Sequence, residues 1–245
     1  MSGPAATLEL PGRVLVTGAA GGIGGAVARR LAEAGAVVVA TDLRGDGLVE
    51  ADIASEAGRA AIVAACGDGI GGIVHAAGII DPCGWREIDE VGFARILAVN
   101  AIAPFLLTRA LLPRMAADGS IVLLGSIAAR RAAPDTAAYA ASKAALGSLG
   151  ATLAQALADT GIRVNVLAPG LIDTGLTRGL DGRLATARGS TPAEVAASRQ
   201  AAVPVGRAGT VGEVADACLY LLSRQASYVD GATLFATGAA LAGAI

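Results

Sequence analysis

A short apolar run, Arg13-Val14-Leu15-Val16-Thr17, leads directly into glycines at 18, 21, 22 and 24. Helical spacing of Ile23, Val27 and Leu31 follows, until Gly35 stops it. The order is strand, glycine turn, helix. A second apolar run, Val37-Val38-Val39-Ala40-Thr41-Asp42, reads as the next buried strand and ends on an acid. Ile73 to Gly78, Ile121 to Leu124 and Ile162 to Leu167 read as further strands, with apolar helical segments between them. Strands alternating with helices in this way imply a parallel sheet covered on both faces. The fold class expected is therefore α/β, a single-domain, Rossmann-like, doubly wound parallel sheet with helices on both faces.

The 245 residues fit one large domain, and no internal repeat or linker divides them. Only nine residues, Leu43 to Ala51, lie between Asp42 and Asp52, too few for a crossover helix and a following strand. That connection is expected to be a loop. Residues 171–204 mix Gly, Thr, Arg and Pro around a short helical signal at Ala193 to Gln200, and read as a mobile surface excursion.

Hydrophobic residues make up 54% and aromatics 3%, so the core must be built from Ala, Val, Leu and Ile. The net charge of −2 and the dispersed arginines give no electrostatic footprint for nucleic acid, which leaves a small molecule as the expected partner. No stretch has the roughly 18 consecutive apolar residues needed to span a bilayer, and residues 1–12 carry no secretory pattern. Cys66, Cys83 and Cys218 are widely spaced and without a CxxC, which reads as reduced thiols in a cytoplasmic protein. No zinc-type cluster accompanies the single histidine, His75, so no metal is expected.

Three patterns carry chemistry. Gly18, Gly22 and Gly24 let the backbone turn tightly and approach a pyrophosphate, whose charge the free amides of a helix start favour. Their spacing is GxxxGxG. Asp42 follows Gly24 by eighteen residues, where a carboxylate can accept hydrogen bonds from ribose hydroxyls. Tyr139 and Lys143, four residues apart in a helical run, share one face. A tyrosine titrates near pH ~10 unless a nearby cation stabilises its phenolate, and Lys143 can supply that charge. It is the only lysine among the 19 Lys and Arg residues. Ser126 closes a strand and should therefore lie at the carboxyl edge of the sheet, where open α/β folds bind ligands.

With Ser126 thirteen residues before Tyr139 and the glycine loop at the start, the chain resembles the classical short-chain dehydrogenase/reductase family from about Gly12 to Leu234. The resemblance implies a nicotinamide dinucleotide as cofactor, with Gly18, Gly22, Ile23 and Gly24 at its phosphates. Asp52 and Ile53 would hold the adenine ring, and Ala77-Gly78 would pass close to the adenosine ribose. Pro169-Gly170-Leu171-Ile172-Asp173-Thr174 is similar to the family's PG motif, in which the backbone near Ile172 and the hydroxyl of Thr174 would fix the carboxamide. Asn100 matches the helix asparagine that holds a relay water in relatives. His75-Ala76-Ala77-Gly78 departs from the family's Asn-Asn-Ala-Gly, and His75 is expected to be a hydrogen-bonded structural substitute. Asn165 is expected to be structural.

The reaction implied is NAD-dependent oxidation of a secondary alcohol, or reduction of the ketone. Tyr139 would act as acid and base, Ser126 would hold the substrate oxygen, and Lys143 would lower the tyrosine pKa and hold the nicotinamide ribose. NAD is expected over NADP because Asp42 would face the 2′-phosphate. A non-catalytic dinucleotide-binding protein is the alternative, against which the complete Ser126, Tyr139, Lys143 and Asn100 set argues. A cofactor-free dehalogenase of the related type is disfavoured by Lys143 and by the glycine loop. The long apolar helices at Val91 to Met115 and Thr136 to Ala158 leave an outer stripe to pair, so a homo-oligomer is expected, a tetramer or a dimer. The Leu, Ile, Ala, Thr and Arg side chains of residues 171–204 suit a hydrophobic secondary alcohol and leave steroid, polyol, sugar, hydroxy acid and dihydrodiol substrates open.

Overall fold

Along each strand the apolar side chains alternate between two cores. In β1 (Arg13–Thr17), Leu15 enters one and Val14 and Val16 the other; in β5 (Met115–Leu124), Ile121 and Leu123 oppose Val122 and Leu124. This period of two is what a sheet with both faces buried requires. The computed structural model describes residues 8–131 and 134–241. Residues 1–7, where the sequence shows no leader pattern, and 242–245, the end of the uncharged tail, lie outside the described residues.

Seven parallel strands run in the order β3-β2-β1-β4-β5-β6-β7, the others being β2 (Val37–Asp42), β3 (Val49–Glu50), β4 (Ile70–His75), β6 (Arg163–Pro169) and β7 (Thr233–Ala236). One face is covered by α2 (Glu56–Cys66), α4 (Ala103–Leu111) and α5 (Ala137–Leu157), through Ile62, Leu107 and Leu146 among others. The other is covered by α1 (Gly22–Glu33) and α8 (Val211–Leu222), through Val27, Leu31, Val214 and Leu222. Chain order reverses between β1 and β4, so a crevice opens at their carboxyl ends.

The structure adds to the sequence reading in four places. The link after Asp42 has no helix, as expected, but it does hold a strand: β3 pairs Val49 with Thr41 and Glu50 with Asp42. Two residues are enough to extend a parallel ladder when no helix intervenes. β7 lies in the tail that periodicity left unassigned. The excursion at 171–204 is largely helical, with α6 (Gly175–Arg188) capped by Thr174 and α7 (Pro192–Ala201) started by a Thr191/Glu194 capping box. These helices carry a small core of their own, Leu180, Leu184, Ala185 and Val195, against which Ile80 packs. Finally, the helix expected over Val91 to Met115 is α3 (Glu90–Leu97), a π-helical segment Ala98–Ile102, α4 and a 3-10 turn Leu112–Arg114, with Met115 already opening β5. Pro104 has no N–H to give the carbonyl of Asn100, four residues back, and the Ala103 amide bonds instead to Ala98. The whole run Glu90–Arg114 is long and apolar enough to cross a membrane by length and composition, yet its inner face, with Ile96, Leu107 and Leu111, is fully packed in the protein.

Candidate active site

The crevice holds a cavity of about 640 Å³ whose floor is the turn after β1. Gly18 has φ +71°, and a Cβ there would fall 2.6 Å from the amide nitrogen of Ala77 at the end of β4. At Gly24 a Cβ would fall 2.2 Å from the Gly18 carbonyl oxygen, so only glycine lets α1 start this close to β1. Gly22 has φ +54°, another conformation that a side chain disfavours. Thr17 Oγ1 accepts a hydrogen bond from the Ala77 amide at 3.2 Å, which ties the β1 and β4 ends together. The result is a backbone cradle at a helix N-terminus, suited to a diphosphate.

Asp42 lines the same cavity, with Oδ2 accepting from the Ala20 amide at 3.0 Å and Oδ1 from the Leu43 amide at 2.7 Å. Asp52, Ile53 and Ala54 form the far wall, where Ile53 is buried, and Arg95 and Val99 complete it. No basic residue lies in the turn Ala19 to Gly21, and Arg44 is exposed two residues beyond Asp42. Diphosphate cradle, ribose-facing acid and apolar slot therefore fit a dinucleotide.

A second pocket of about 120 Å³ continues from the first, sharing Ile23, Gly78, Thr174 and Leu176, and contains Ser126, Tyr139 and Lys143. Ser126, just past β5, also caps the short 3-10 turn Ile127–Ala129, its Oγ accepting from the Ala128 amide at 3.1 Å. Tyr139 and Lys143 project from one face of α5, with Lys143 Nζ 5.7 Å from the tyrosine ring centre. Lys143 is buried and donates to the Leu124 carbonyl at 2.7 Å.

The electrostatics correct one expectation. Without a bound cofactor, Tyr139 has its pKa raised by burial, which the hydrogen bond with Ser126 only partly opposes. Burial pushes Lys143 down to about 8, and its nitrogen lies over the tyrosine ring and bonds to the Leu124 carbonyl.

Asn100, fully buried in the π segment, spends its side chain on structure: Oδ1 accepts from the Ile79 amide at 2.9 Å, while Nδ2 donates to the Ile79 carbonyl at 2.9 Å and to Ser142 Oγ at 3.0 Å. Ser142 in turn donates to the Tyr139 carbonyl at 2.7 Å. Gly78 lies beside this group, where a Cβ would come within 3.3 Å of Asn100 Oδ1 and 3.5 Å of Lys143 Nζ. Thr174 Oγ1 caps α6 by accepting from the Thr177 amide at 3.1 Å, and lies at the junction of the two pockets. Ile172 is pinned between a Leu171 carbonyl and an Asp173 amide that both bond to Gly209.

His75 lies outside both pockets: it is buried, bonded through Nε2 to Thr108 Oγ1 at 2.8 Å, and held neutral by burial, with its pKa lowered to about 3. Asn165 bonds to Val229 and Ala232, joining β6 to the segment before β7. Arg95, Leu176, Ser142 and Thr17 were not singled out by sequence. Only Ser142, directly before Lys143, offered a signal.

A family model described as "Enoyl-(Acyl carrier protein) reductase" matches residues 18–238. The chain is 32% identical to the 2,5-dichloro-2,5-cyclohexadiene-1,4-diol dehydrogenase LinX of Sphingobium indicum, covering 92% of this chain and 95% of that one. It is 36% identical to the cis-4-hydroxycyclohexanecarboxylate dehydrogenase of Sinomonas cyclohexanicum, covering 91% and 94%. Among solved structures, a short chain dehydrogenase family protein from Francisella tularensis superposes with a TM-score of 0.89 at 27% identity, covering 95% of this chain and 99% of that one. A Beutenbergia cavernae protein described as an NAD(P)-dependent gluconate 5-dehydrogenase, with NADP bound at low occupancy, superposes at 0.84 with 33% identity, covering 96% and 99%. Sequence, sheet order and site agree, and the chain belongs to the classical short-chain dehydrogenase/reductase family of nicotinamide-dinucleotide-binding oxidoreductases.

Proposed function

We propose that this protein is an NAD-dependent dehydrogenase that interconverts a secondary alcohol and its ketone. The observation that supports it most is the meeting of Ser126, Tyr139 and Lys143 in one small pocket opening from the dinucleotide cavity. The dinucleotide, when bound, supplies the acceptor or donor of hydride. Gly18, Gly22, Ile23 and Gly24 would hold its phosphates, Asp42 its adenosine ribose, Asp52, Ile53, Ala77 and Gly78 the adenosine region, and Ile172 and Thr174 its carboxamide.

The chain's own residues handle the oxygen and its proton. Tyr139 Oη takes the hydroxyl proton in oxidation and returns it in reduction. The Ser126 hydroxyl donates to the substrate oxygen as charge develops there. Lys143, with a pKa near the working pH, can pass a proton as well as carry a charge, and would hold the nicotinamide ribose. Asn100 acts as a positioning residue through Ile79 and Ser142, and its main-chain carbonyl, denied the usual α-helical donor by Pro104, is the atom left to hold a relay water.

The substrate we infer is a secondary alcohol on a small apolar skeleton. Leu124, Ile172 and Leu176 line the reacting pocket, which suits such a group, and two of the relatives are named for cyclic alcohols. We also infer a homo-oligomer, because Val91 and Ile102 on the Glu90–Arg114 run are 75% and 51% exposed. Following NADH formation across cyclic and acyclic secondary alcohols, polyols and hydroxy acids tests the activity. Tight NADH binding with no turnover on any of them, alongside an unaltered signal in Tyr139→Phe, would favour a non-catalytic role. Light scattering at micromolar concentration tests the assembly, and a monomer mass would refute it.

A further inference from the structure

The far wall of the dinucleotide cavity, Asp52 to Ala54, has no strand beneath it and no crossover helix outside it, since β3 stops at Glu50 and residues 43–48 form no helix. It rests on α2. Gly58 is packed so closely there that a Cβ would fall 2.0 Å from the Asp52 carbonyl oxygen. Ser55 caps the helix by accepting from the Gly58 amide at 2.9 Å, and its own hydroxyl donates to the Asp52 carbonyl at 3.0 Å.

One cation completes the arrangement. Arg59, in the opening turn of α2, folds back along the helix and donates from Nη1 to the carbonyl of Ile53 at 2.9 Å and of Ala54 at 2.8 Å. It makes no ion pair among the described residues. A cation this near a helix N-terminus is unfavourable with respect to the helix dipole, so helix formation does not account for its presence. Its contacts are spent on the two carbonyls that set the wall.

We propose that Arg59 is a positioning residue for the adenosine half of the cofactor, holding Ile53 and Ala54 where the base packs. This rests on the dinucleotide reading given above. The residue touches no reacting atom, so its loss weakens binding of the adenosine half and leaves the chemistry at Tyr139 intact.

The test compares wild type, Arg59→Met and Arg59→Lys, each confirmed folded by circular dichroism, for binding of NADH, AMP and nicotinamide mononucleotide and for kcat at saturating NAD. Arg59→Met is expected to weaken AMP and NADH about tenfold, the loss of charge-assisted hydrogen bonds to the wall, with nicotinamide mononucleotide and kcat changed by less than about twofold. Arg59→Lys, which keeps the charge but offers a single nitrogen, is expected to lose AMP affinity by about threefold. An unchanged AMP affinity in whichever variant folds overturns the proposal. So does an equal loss of AMP and nicotinamide mononucleotide, which would mark general loosening of the fold. Failure of the wild type to bind NADH overturns the dinucleotide reading itself, and this proposal with it.

Discussion

Asp42 Oδ2 accepts a hydrogen bond from the Ala20 amide at 3.0 Å, so the acid that ends β2 is fixed to the glycine turn that follows β1. In the dinucleotide reading proposed above, its charge would face the adenosine 2′-substituent. A 2′-phosphate carries nearly two negative charges at neutral pH, and no cation in the turn Ala19 to Gly21 offsets the repulsion. The ratio of kcat/KM for NAD over NADP is expected to exceed about a hundredfold, since close like-charge contact costs several kcal/mol. Asp42→Asn, which keeps an acceptor for the turn, should lower the ratio mainly by improving NADP. Equal efficiency with the two cofactors in the wild type would contradict this.

Lys143→Arg should keep the fold and lose most of kcat. A guanidinium is too broad for the place beside Gly78, where a Cβ would already lie 3.5 Å from Nζ, and it cannot release a proton. In the wild type without cofactor, burial lowers the lysine pKa to about 8, so its rate of modification by an amine-directed reagent should rise with pH around a midpoint near 8. Saturating NAD should protect it. Near wild-type kcat in the arginine variant would remove Lys143 from the mechanism.

Acid stability should report on His75. Its folded pKa is lowered to about 3 and the unfolded chain titrates near 6.5, so unfolding takes up a proton in between. Stability is therefore lost as pH falls from 6.5 toward 3, by up to about 1.4 kcal/mol per pH unit from this group alone. Urea midpoints at pH 7 and pH 5 should differ more in wild type than in His75→Asn. The same slope in both would assign the acid sensitivity to other groups.

Arg163 is the main tie between β6 and the end of α8. Nη1 donates to the carbonyls of Leu221 and Val229 at 3.0 and 3.3 Å, and Nη2 to those of Leu222 and Ser223 at 3.4 and 3.0 Å. Replacement by alanine removes four charge-assisted contacts; the Leu221, Val229 and Ser223 carbonyls keep bonds from Ser120, Asn165 and the Ala226 amide, so the cost should be roughly 2 kcal/mol in denaturant unfolding. Lysine, without the planar fork, should recover less than half of this. A loss under about 1 kcal/mol in the alanine variant would show that water replaces the guanidinium freely.

What could be read from sequence was local chemistry with a fixed offset. Gly24 is needed because α1 begins against the Gly18 carbonyl, and Asp42 ends the adjacent strand, so both announce themselves within one strand-helix-strand unit. Lys143 stood out by composition. What escaped depends on partners far along the chain: Asn100 meets Ile79 and Ser142, and Arg95 reaches the cavity only because α3 packs beside it. α6 hid because its polar face and glycines weaken a helical pattern that Thr174 and Gly189 nonetheless cap. The sign of the Tyr139 shift escaped for a different reason. Spacing gives proximity to Lys143, while burial is set by the whole fold.

The two ends of the sheet are unequal as surfaces for strand addition. β3 offers two residues, too short a ladder for another chain to extend, whereas β7 offers four and exposes Leu234 and Phe235. Among the described residues, each molecule thus has one usable edge. Edge-to-edge pairing of such molecules consumes both edges at once and stops at two copies, so the brevity of β3 works as a terminator against fibrous growth of the sheet.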